Sequence, residues 1–207
     1  MNATPNGKYA RRKANSPTLP GSTRSRIDSG AVELFVRDGY DGTSMRDLAR
    51  RVGLRPSSIY GHVKSKQELL FRVMDRLMDE VLTRARGALS AAGEPSAQVR
   101  KLILANVCQP GPRETALLQS ELKNLRPRYR AGIVRKQREY RDLWLGVLRD
   151  GIDRGLFRIR DPRLVFLGID GALVHVERWF DPAGRLSRRQ VANTFAEWIL
   201  QSLGCRR

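Results

Sequence analysis

The sequence predicts an all-α fold in which a short N-terminal unit of three helices precedes a larger helical unit. Hydrophobic residues recur at intervals of three and four from about residue 23 onward, which is the spacing of one helix face. Helix-capping pairs, prolines and glycines stand where these runs begin and end. No alternating polar and apolar stretch of useful length appears, so we expect no sheet.

Residues 1–22 are expected to form a disordered basic tail. The segment is rich in Asn, Thr, Pro, Gly and Ser and has no hydrophobic period. Its basic side chains have no acidic counterparts, because the first acid of the chain is Asp28.

Two helices are expected directly after the tail. The first begins near Thr23 and stops near Gly39. The second begins at Ser44 and Asp47, which have the spacing of a capping box. Gly53 permits the turn that follows it.

A third and a fourth helix follow the turn. Pro56 suits the first position of the third helix, because its φ is already helical and no N–H is needed there. Ile59 points inward from this short helix. Ser65 and Glu68 have capping-box spacing and predict the start of a long fourth helix with an apolar face.

The remainder of the chain is predicted to be helical as well. Prolines 110, 112 and 127 divide it, and Asp161 followed by Pro162 marks another helix start. The expected ranges are about 97–108, 113–124, 128–154 and 162–180. A last helix starts at the capping box of Ser187 and Gln190 and is ended by Gly204.

The chain is strongly basic, with a net charge of +18 at pH 7 and a pI near 11.1. Such a charge indicates a polyanionic partner or surface. Residues 1–66 carry thirteen basic and five acidic side chains, a net +8, and the rest carry +10, so the excess is not confined to the N-terminal unit.

The chain has two cysteines and no apolar stretch long enough for a membrane span or a signal peptide. We therefore expect a cytoplasmic protein that does not enter a membrane.

The segment from Gly39 to Leu70, GYDGTSMRDLARRVGLRPSSIYGHVKSKQELL, carries the most specific signal. Two short helices flank a tight turn, and the second exposes hydroxyl and aromatic side chains. This is typical of a helix-turn-helix that holds DNA phosphates and presents a helix to base edges. Residues 23–70 closely resemble the DNA-binding head of TetR-family transcriptional regulators. The positions that match the family pattern are Thr43, Ala49, Gly53, Tyr60, His62, Lys64, Ser65, Lys66, Glu68 and Leu69.

The resemblance implies which residues contact the DNA backbone. Tyr60 and His62 resemble residues that hydrogen-bond phosphates from the recognition helix. Lys66 resembles a phosphate contact strengthened by the N-terminal end of the fourth helix. Thr43 and Arg46 are expected to touch the opposite side of the groove.

Base readout is expected from Arg55, Ser57 and Ser58. An arginine there can pair with both acceptors of a guanine, which is worth about 1–3 kcal/mol of discrimination.

Two residues depart from the family pattern. Arg55 stands where a Ser or Thr cap is common, and Gly61 replaces a frequent His at a cost of up to ~1 kcal/mol in helix propensity. The basic tail of residues 1–22 is either solvated or an arm that adds phosphate or minor-groove contacts.

Residues 71–207 resemble, less specifically, the effector-binding and dimerisation domain of the family. By that resemblance the last two helices pair with those of a second subunit, although ordinary core packing also explains their apolar faces. The residues of these faces are Leu164, Val165, Leu167, Ile169, Ala172, Val176, Val191, Phe195, Trp198, Ile199 and Leu203.

Basic residues between Lys123 and Arg141 accompany a single acid, Glu139. They form either a solvated helix face or the electropositive mouth of a site for an anionic effector. The motifs Arg138–Tyr140, Gly155–Phe157, Arg178–Pro182 and Gly184–Ser187 resemble a TetR subset that includes acyl-CoA-responsive repressors. The residues expected to bind the effector are Arg126, Arg138, Tyr140, Trp144 and Phe166.

The sequence thus predicts a homodimeric repressor that binds a near-palindromic double-stranded operator and is released by a small-molecule effector, with an acyl-CoA as one candidate. The alternative is an effector-independent structural protein that coats DNA. Motifs for catalysis, metal binding or cofactor binding do not appear, so we expect no catalytic residues, metal or cofactor.

Overall fold

A computed structural model of the chain describes residues 21–108, 117–118 and 120–204. Within these ranges it contains α-helices, one short 3-10 turn and no strand, which confirms the all-α prediction. The helices are α1 (Thr23–Gly42), α2 (Met45–Val52), α3 (Pro56–Tyr60), α4 (Lys66–Ala88), α5 (Pro95–Val107), α6 (Pro127–Asp153), α7 (Pro162–Trp179) and α8 (Arg188–Ser202), with the 3-10 turn at Leu122–Asn124.

Two sequence predictions fall wholly or partly outside the described residues. The tail spans residues 1–22, of which only Gly21 and Ser22 are described. The helix expected at 113–124 is described only from residue 117, where residues 117, 118 and 120 are helical and precede the 3-10 turn.

The helix starts follow the capping chemistry of the sequence. The predicted capping boxes of α2 and α8 are both formed. At α4 the Ser65 hydroxyl accepts from the backbone N–H of Glu68, but the Glu68 carboxylate accepts from the amide of Lys64. The box predicted there is therefore only half formed, because Glu68 reaches one residue further back.

The expected stop of the first helix near Gly39 appears as a kink inside α1. Gly39 has φ 74° and ψ 170°, a backbone conformation that an L-residue adopts only with strain. Helical turns resume for three residues and end at Gly42. The kink turns the chain toward α2.

Helix α4 runs from the N-terminal head into the rest of the molecule, so the domain boundary expected between residues 70 and 71 lies inside a continuous helix. In the body, α4 packs against α5 and α6, while α7 packs on α6 and α8 on α5. Trp144 is the largest side chain in this core that is fully buried. None of the described helices is long and apolar enough to span a membrane.

Candidate DNA-binding surface and effector cavity

Helices α2 and α3 form a helix-turn-helix closed by Gly53, whose φ of 68° ends α2 in a left-handed cap. Leu48 and Val52 of α2 pack beside Gly30 of α1, and Ile59 of α3 is buried in the same core. The apolar side chains of both helices therefore point inward, and their polar side chains remain on the outer surface.

Most of the predicted DNA contacts lie on this outer surface. Tyr60 is 55% exposed, so its ring and hydroxyl are available on this surface. The other exposed members of the predicted set are Arg46, Arg55, Ser57, Ser58 and His62. Their roles in DNA binding remain proposals.

The two departures from the family pattern have clear structural outcomes. Arg55 is the N-cap of α3 and makes no side-chain capping bond, so its guanidinium is not engaged by the helix start. Gly61 is the C-cap, beyond the last residue of α3 at Tyr60. The expected loss of helix propensity at Gly61 is therefore wrong, because the cost applies to helix interiors.

Thr43 differs from its predicted role. Its side chain is only 5% exposed, and its hydroxyl donates to the carbonyl oxygen of Gly39 at 2.9 Å. This bond closes the kink in α1 and uses the hydroxyl proton of Thr43. The structure thus shows a structural role for Thr43, and its DNA contact stays a prediction.

Lys66 is half-buried at the start of α4. Its ammonium lies 4.1 Å from the centroid of the Tyr40 ring, a cation–π contact. The side chain is therefore oriented by the end of α1. A phosphate contact at this position would use an ammonium that Tyr40 already holds in place.

Arg72 of α4 ties the head together. Its guanidinium forms a largely buried ion pair with Asp28 of α1 and donates to the carbonyl oxygen of His62 at 2.9 Å. Both the first helix and the residue just after the recognition helix are thus fixed to α4.

The head is also clipped to the body by Gln67. Its side-chain amide donates to the hydroxyl of Tyr40 and to the carbonyl oxygen of Asn124, both at 2.7 Å. Its carbonyl oxygen accepts from the backbone N–H of Arg126 at 2.9 Å. Sequence reasoning missed Gln67, because only the position of the segment 124–126 reveals its partners.

A cavity of about 390 Å³ lies between α4, α5, α6 and α7. Its wall combines apolar side chains with a few polar groups, as is usual for small-molecule sites. The lining residues are Met78, Val81, Arg84, Ala85, Leu102, Ala105, Asn106, Leu118, Val134, Gln137, Arg138, Tyr140, Arg141, Phe166, Asp170 and Val174.

Three of the five predicted effector residues line this cavity, namely Arg138, Tyr140 and Phe166. Trp144 does not; it lies one layer deeper, with its ring centroid 6.4 Å from that of Phe166. Arg126 does not either, because it is the N-cap of α6 at the Gln67 clip, away from the cavity wall. Both predictions are corrected accordingly.

The basic run of α6 divides between two roles. Arg138 and Arg141 reach the cavity wall, where Arg84 of α4 joins them. Lys136 faces α4 and forms ion pairs with Asp75 and Asp79. These carboxylates raise the pKa of the ammonium although its burial opposes the rise. The run is therefore neither wholly solvated nor wholly a cavity mouth.

The polar groups of the cavity include two titratable side chains, a buried one, Tyr140, and a partly buried one, Asp170. Burial raises the pKa of Tyr140 to about 12, and its hydroxyl accepts a hydrogen bond from Asn106 at 3.2 Å. Burial also raises the pKa of Asp170. Sequence reasoning missed Asp170, although an acid four residues after Phe166 and four before Val174 interrupts an apolar helix face.

The apolar faces of α7 and α8 separate into buried and exposed residues. Ile169, Val176, Val191, Ile199 and Leu203 are core residues of the chain itself. In contrast, Leu164 is 67%, Leu167 62% and Trp198 57% exposed, and Trp179 stacks on Phe195 beside them. Core packing within the chain thus explains only part of the two faces.

Comparisons with known proteins identify relatives of both units. Residues 27–73 match the family model described as "Bacterial regulatory proteins, tetR family", and residues 92–203 match "Tetracyclin repressor-like, C-terminal domain". The chain is 27% identical to the HTH-type transcriptional repressor KstR2 of Mycolicibacterium smegmatis, over 90% of this chain and 93% of that protein.

Solved structures share the same architecture. The ketosteroid transcriptional regulator KstR2 of Mycobacterium tuberculosis superimposes with a TM-score of 0.82 and 25% identity, over 93% of this chain and all of that one. AibR in complex with isovaleryl coenzyme A and operator DNA gives a TM-score of 0.79 and 25% identity, over 86% of this chain and 97% of that one. With both family models matched in order along the sequence, the chain belongs to the TetR family of transcriptional regulators.

Proposed function

We propose that the chain is a repressor that binds a near-palindromic operator as a homodimer and releases it when a small anionic effector enters the cavity. The observation that carries this proposal is the course of α4. One face of this helix supplies cavity-wall residues Met78, Val81 and Arg84, and its first turns hold the head through Gln67 and Arg72. A ligand in the cavity therefore acts on the helix that positions the DNA-binding surface.

Sequence-specific DNA binding is supported by the exposed outer face of the helix-turn-helix. Arg55 has a guanidinium available at the start of α3, where a recognition helix contacts base edges. Tyr60 and His62 stand at the other end of the same helix. We propose Arg55, Ser57 and Ser58 for base readout and the other exposed residues of the surface for phosphate contacts.

Dimerisation is supported by the exposed residues of α7 and α8. Leu164, Leu167 and Trp198 lie on helices whose opposite faces already fill the core, so they form an apolar surface that a second copy can cover. A two-fold dimer places its recognition helices about 34–36 Å apart, one turn of DNA. KstR2 and AibR, the relatives in hand, have the same C-terminal architecture.

An acyl-CoA is the effector class that we propose. The apolar wall suits an acyl chain, and Arg84, Arg138 and Arg141 supply cations at the more solvent-exposed part of the wall for phosphate groups. The cavity of about 390 Å³ suits the acyl part, with the nucleotide outside it. The AibR structure, which contains isovaleryl coenzyme A, shows a relative of similar fold with a ligand of this class.

Binding measurements on the full chain test the proposal. An operator is first selected from random duplexes, and its affinity is then compared with that of scrambled DNA over a range of salt concentrations. Specific binding is expected to exceed non-specific binding by roughly 10³-fold or more. Addition of octanoyl-CoA is expected to lower operator affinity, whereas free CoA is the matched control that lacks the acyl group.

The alternative, a structural protein that coats DNA, makes the opposite prediction. Equal affinity for selected and scrambled duplexes would favour it and contradict sequence-specific regulation. An operator preference that no acyl-CoA of any chain length alters would leave the DNA-binding half intact and remove the proposed effector class.

A further inference from the structure

One acidic side chain of the cavity has no part in the proposed function. Asp170 lies on α7 between Phe166 and Val174, at a spacing that puts all three on the cavity wall. Within the described part of the chain it forms no ion pair, although three arginines line the same cavity. Burial raises the pKa of its carboxyl group.

Tyr140 presents a hydrogen-bond donor to the same space. Its oxygen accepts from the side-chain amide of Asn106, which leaves the phenolic proton available to donate. Because the pKa of Tyr140 is raised to about 12, this proton is retained at neutral pH. The Tyr140 ring lies 6.3 Å from the ring of Phe166, which precedes Asp170 by about one helical turn on the same cavity wall.

A donor and an acceptor on one apolar wall are complementary to a ligand group that both accepts and donates. A hydroxyl group is the smallest such group. Next to Asp170 a ligand carboxylate would meet a like charge, and an ammonium group would enter a cavity whose wall already holds three arginines. The chemistry of the wall therefore favours a neutral group with both functions.

We propose that Asp170 and Tyr140 together bind a hydroxyl group on the acyl part of the effector, so that the cavity selects a hydroxylated acyl chain over its unhydroxylated counterpart. Tyr140 donates a hydrogen bond to the hydroxyl oxygen, and a carboxyl oxygen of Asp170 accepts a hydrogen bond from the hydroxyl O–H. This inference rests on the proposed acyl-CoA function and narrows its ligand class. An unhydroxylated chain covers both polar groups without pairing them, which is expected to weaken binding by about 10- to 100-fold.

Titration calorimetry on the full-length protein tests the inference with octanoyl-CoA, 3-hydroxyoctanoyl-CoA and 8-hydroxyoctanoyl-CoA. The two hydroxyl positions probe both ends of the chain. At least one hydroxylated ester is expected to bind about tenfold tighter than octanoyl-CoA or better. In Asp170→Leu this preference is expected to decrease clearly while octanoyl-CoA still binds, because leucine replaces one of the two polar groups by an apolar one.

Two further variants separate recognition from general packing. Asp170→Asn keeps an accepting oxygen and is expected to retain part of the preference, whereas Tyr140→Phe removes the donor and is expected to reduce it. Asp153→Asn, an exposed acid on α6, is the matched control and is expected to change nothing.

The outcomes distinguish this inference from the function on which it rests. If the wild-type protein binds all three esters within twofold of one another, the hydroxyl site is refuted and the acyl-CoA effector stands. If Asp170→Leu retains the full preference, the assignment to Asp170 is refuted. If none of the three esters binds, the proposed effector class fails and this inference fails with it.

Discussion

The side-chain carbonyl of Gln67 accepts a hydrogen bond from the backbone N–H of Arg126, while its amide donates to Tyr40 and to the carbonyl oxygen of Asn124. One side chain thus connects the start of α4 to the end of α1 and to the start of α6. The stacked rings of Phe71 and Tyr129, 4.9 Å apart, continue this connection along α4 and α6.

The clip predicts a local change in amide exchange. In Gln67→Ala the N–H of Arg126 loses its acceptor, so its hydrogen exchange is expected to accelerate by about 10-fold or more. The matched control is Gln98→Ala on α5, which is expected to leave this amide protected. Unchanged protection of Arg126 in Gln67→Ala would show that the clip is not formed in solution.

We expect that removing the hydroxyl of Thr43 lowers the stability of the protein without removing a DNA contact. Thr43→Val keeps the shape of the side chain but removes the hydroxyl that donates to Gly39, which is expected to lower the free energy of unfolding by about 1–2 kcal/mol. Thr43→Ser keeps the hydroxyl and serves as the control. The dependence of operator affinity on salt concentration is expected to match the wild type. A shallower dependence in Thr43→Val would return Thr43 to the phosphate contacts.

We expect substitutions at the two ends of α3 to impair DNA binding in two different ways. Arg55→Ala is expected to relax the preference at one operator position, with a loss of about 1–3 kcal/mol on the best sequence, whereas Tyr60→Ala is expected to weaken binding to all sequences alike. Competition assays with single-base operator variants measure both effects. Arg149→Ala, an exposed arginine on α6, is the control. An unchanged base preference in Arg55→Ala would rule out its readout role.

The exposed faces of α7 and α8 predict the subunit interface. Leu167→Glu places a charge in the proposed contact and is expected to yield monomers in analytical ultracentrifugation. Operator affinity is expected to fall by about 10²-fold or more, because each monomer then binds one half-site alone. Leu186→Glu changes an exposed leucine in the segment between the two helices and should leave the assembly intact. If Leu167→Glu still forms dimers that bind the operator with wild-type affinity, the subunit interface lies elsewhere.

Asp170 predicts a pH-dependent stability. Because its pKa is raised in the folded protein, the folded state holds more protons than the unfolded state as pH rises above the ordinary value of a carboxyl group. The free energy of unfolding therefore falls as the pH rises from the ordinary pKa of a carboxyl group to the raised pKa of Asp170, and it stays lower above that. Asp170→Asn is expected to raise the melting temperature at pH 8 and to lose this advantage at pH 4. If the melting temperature of Asp170→Asn differed from that of the wild type by the same amount at pH 4 and pH 8, ionisation of Asp170 would not be the cause of the difference.

The sequence predicted the helices well, because their ends depend on local chemistry. Asp161 accepts from the two amides that follow Pro162, and Gly39 and Gly53 take up the left-handed conformations that the turns need. These signals require no knowledge of distant residues. Even the shift of the Glu68 bond to Lys64 is a displacement of one residue along the chain.

The sequence assigned Trp144 and Arg126 to the effector site, but their positions are set by tertiary packing. Trp144 follows Tyr140 by one turn and shares its helix face, but Phe166 of α7 covers it from the cavity side. Arg126 belongs to the basic run, yet its backbone is bound by Gln67 from a distant part of the sequence. Neither neighbour can be recognised from local spacing alone.

The length of α4 has a mechanical consequence. Its 23 residues extend over about 35 Å, so a tilt of roughly 5° about the cavity end displaces the opposite end by about 3 Å. In a two-fold dimer the displacements add, and the separation of the recognition helices changes by about 6 Å, more than one base-pair step of about 3.4 Å. If the proposed effector mechanism holds, α4 acts as a lever arm, and a side-chain-sized change at the cavity would put both subunits out of register with the DNA.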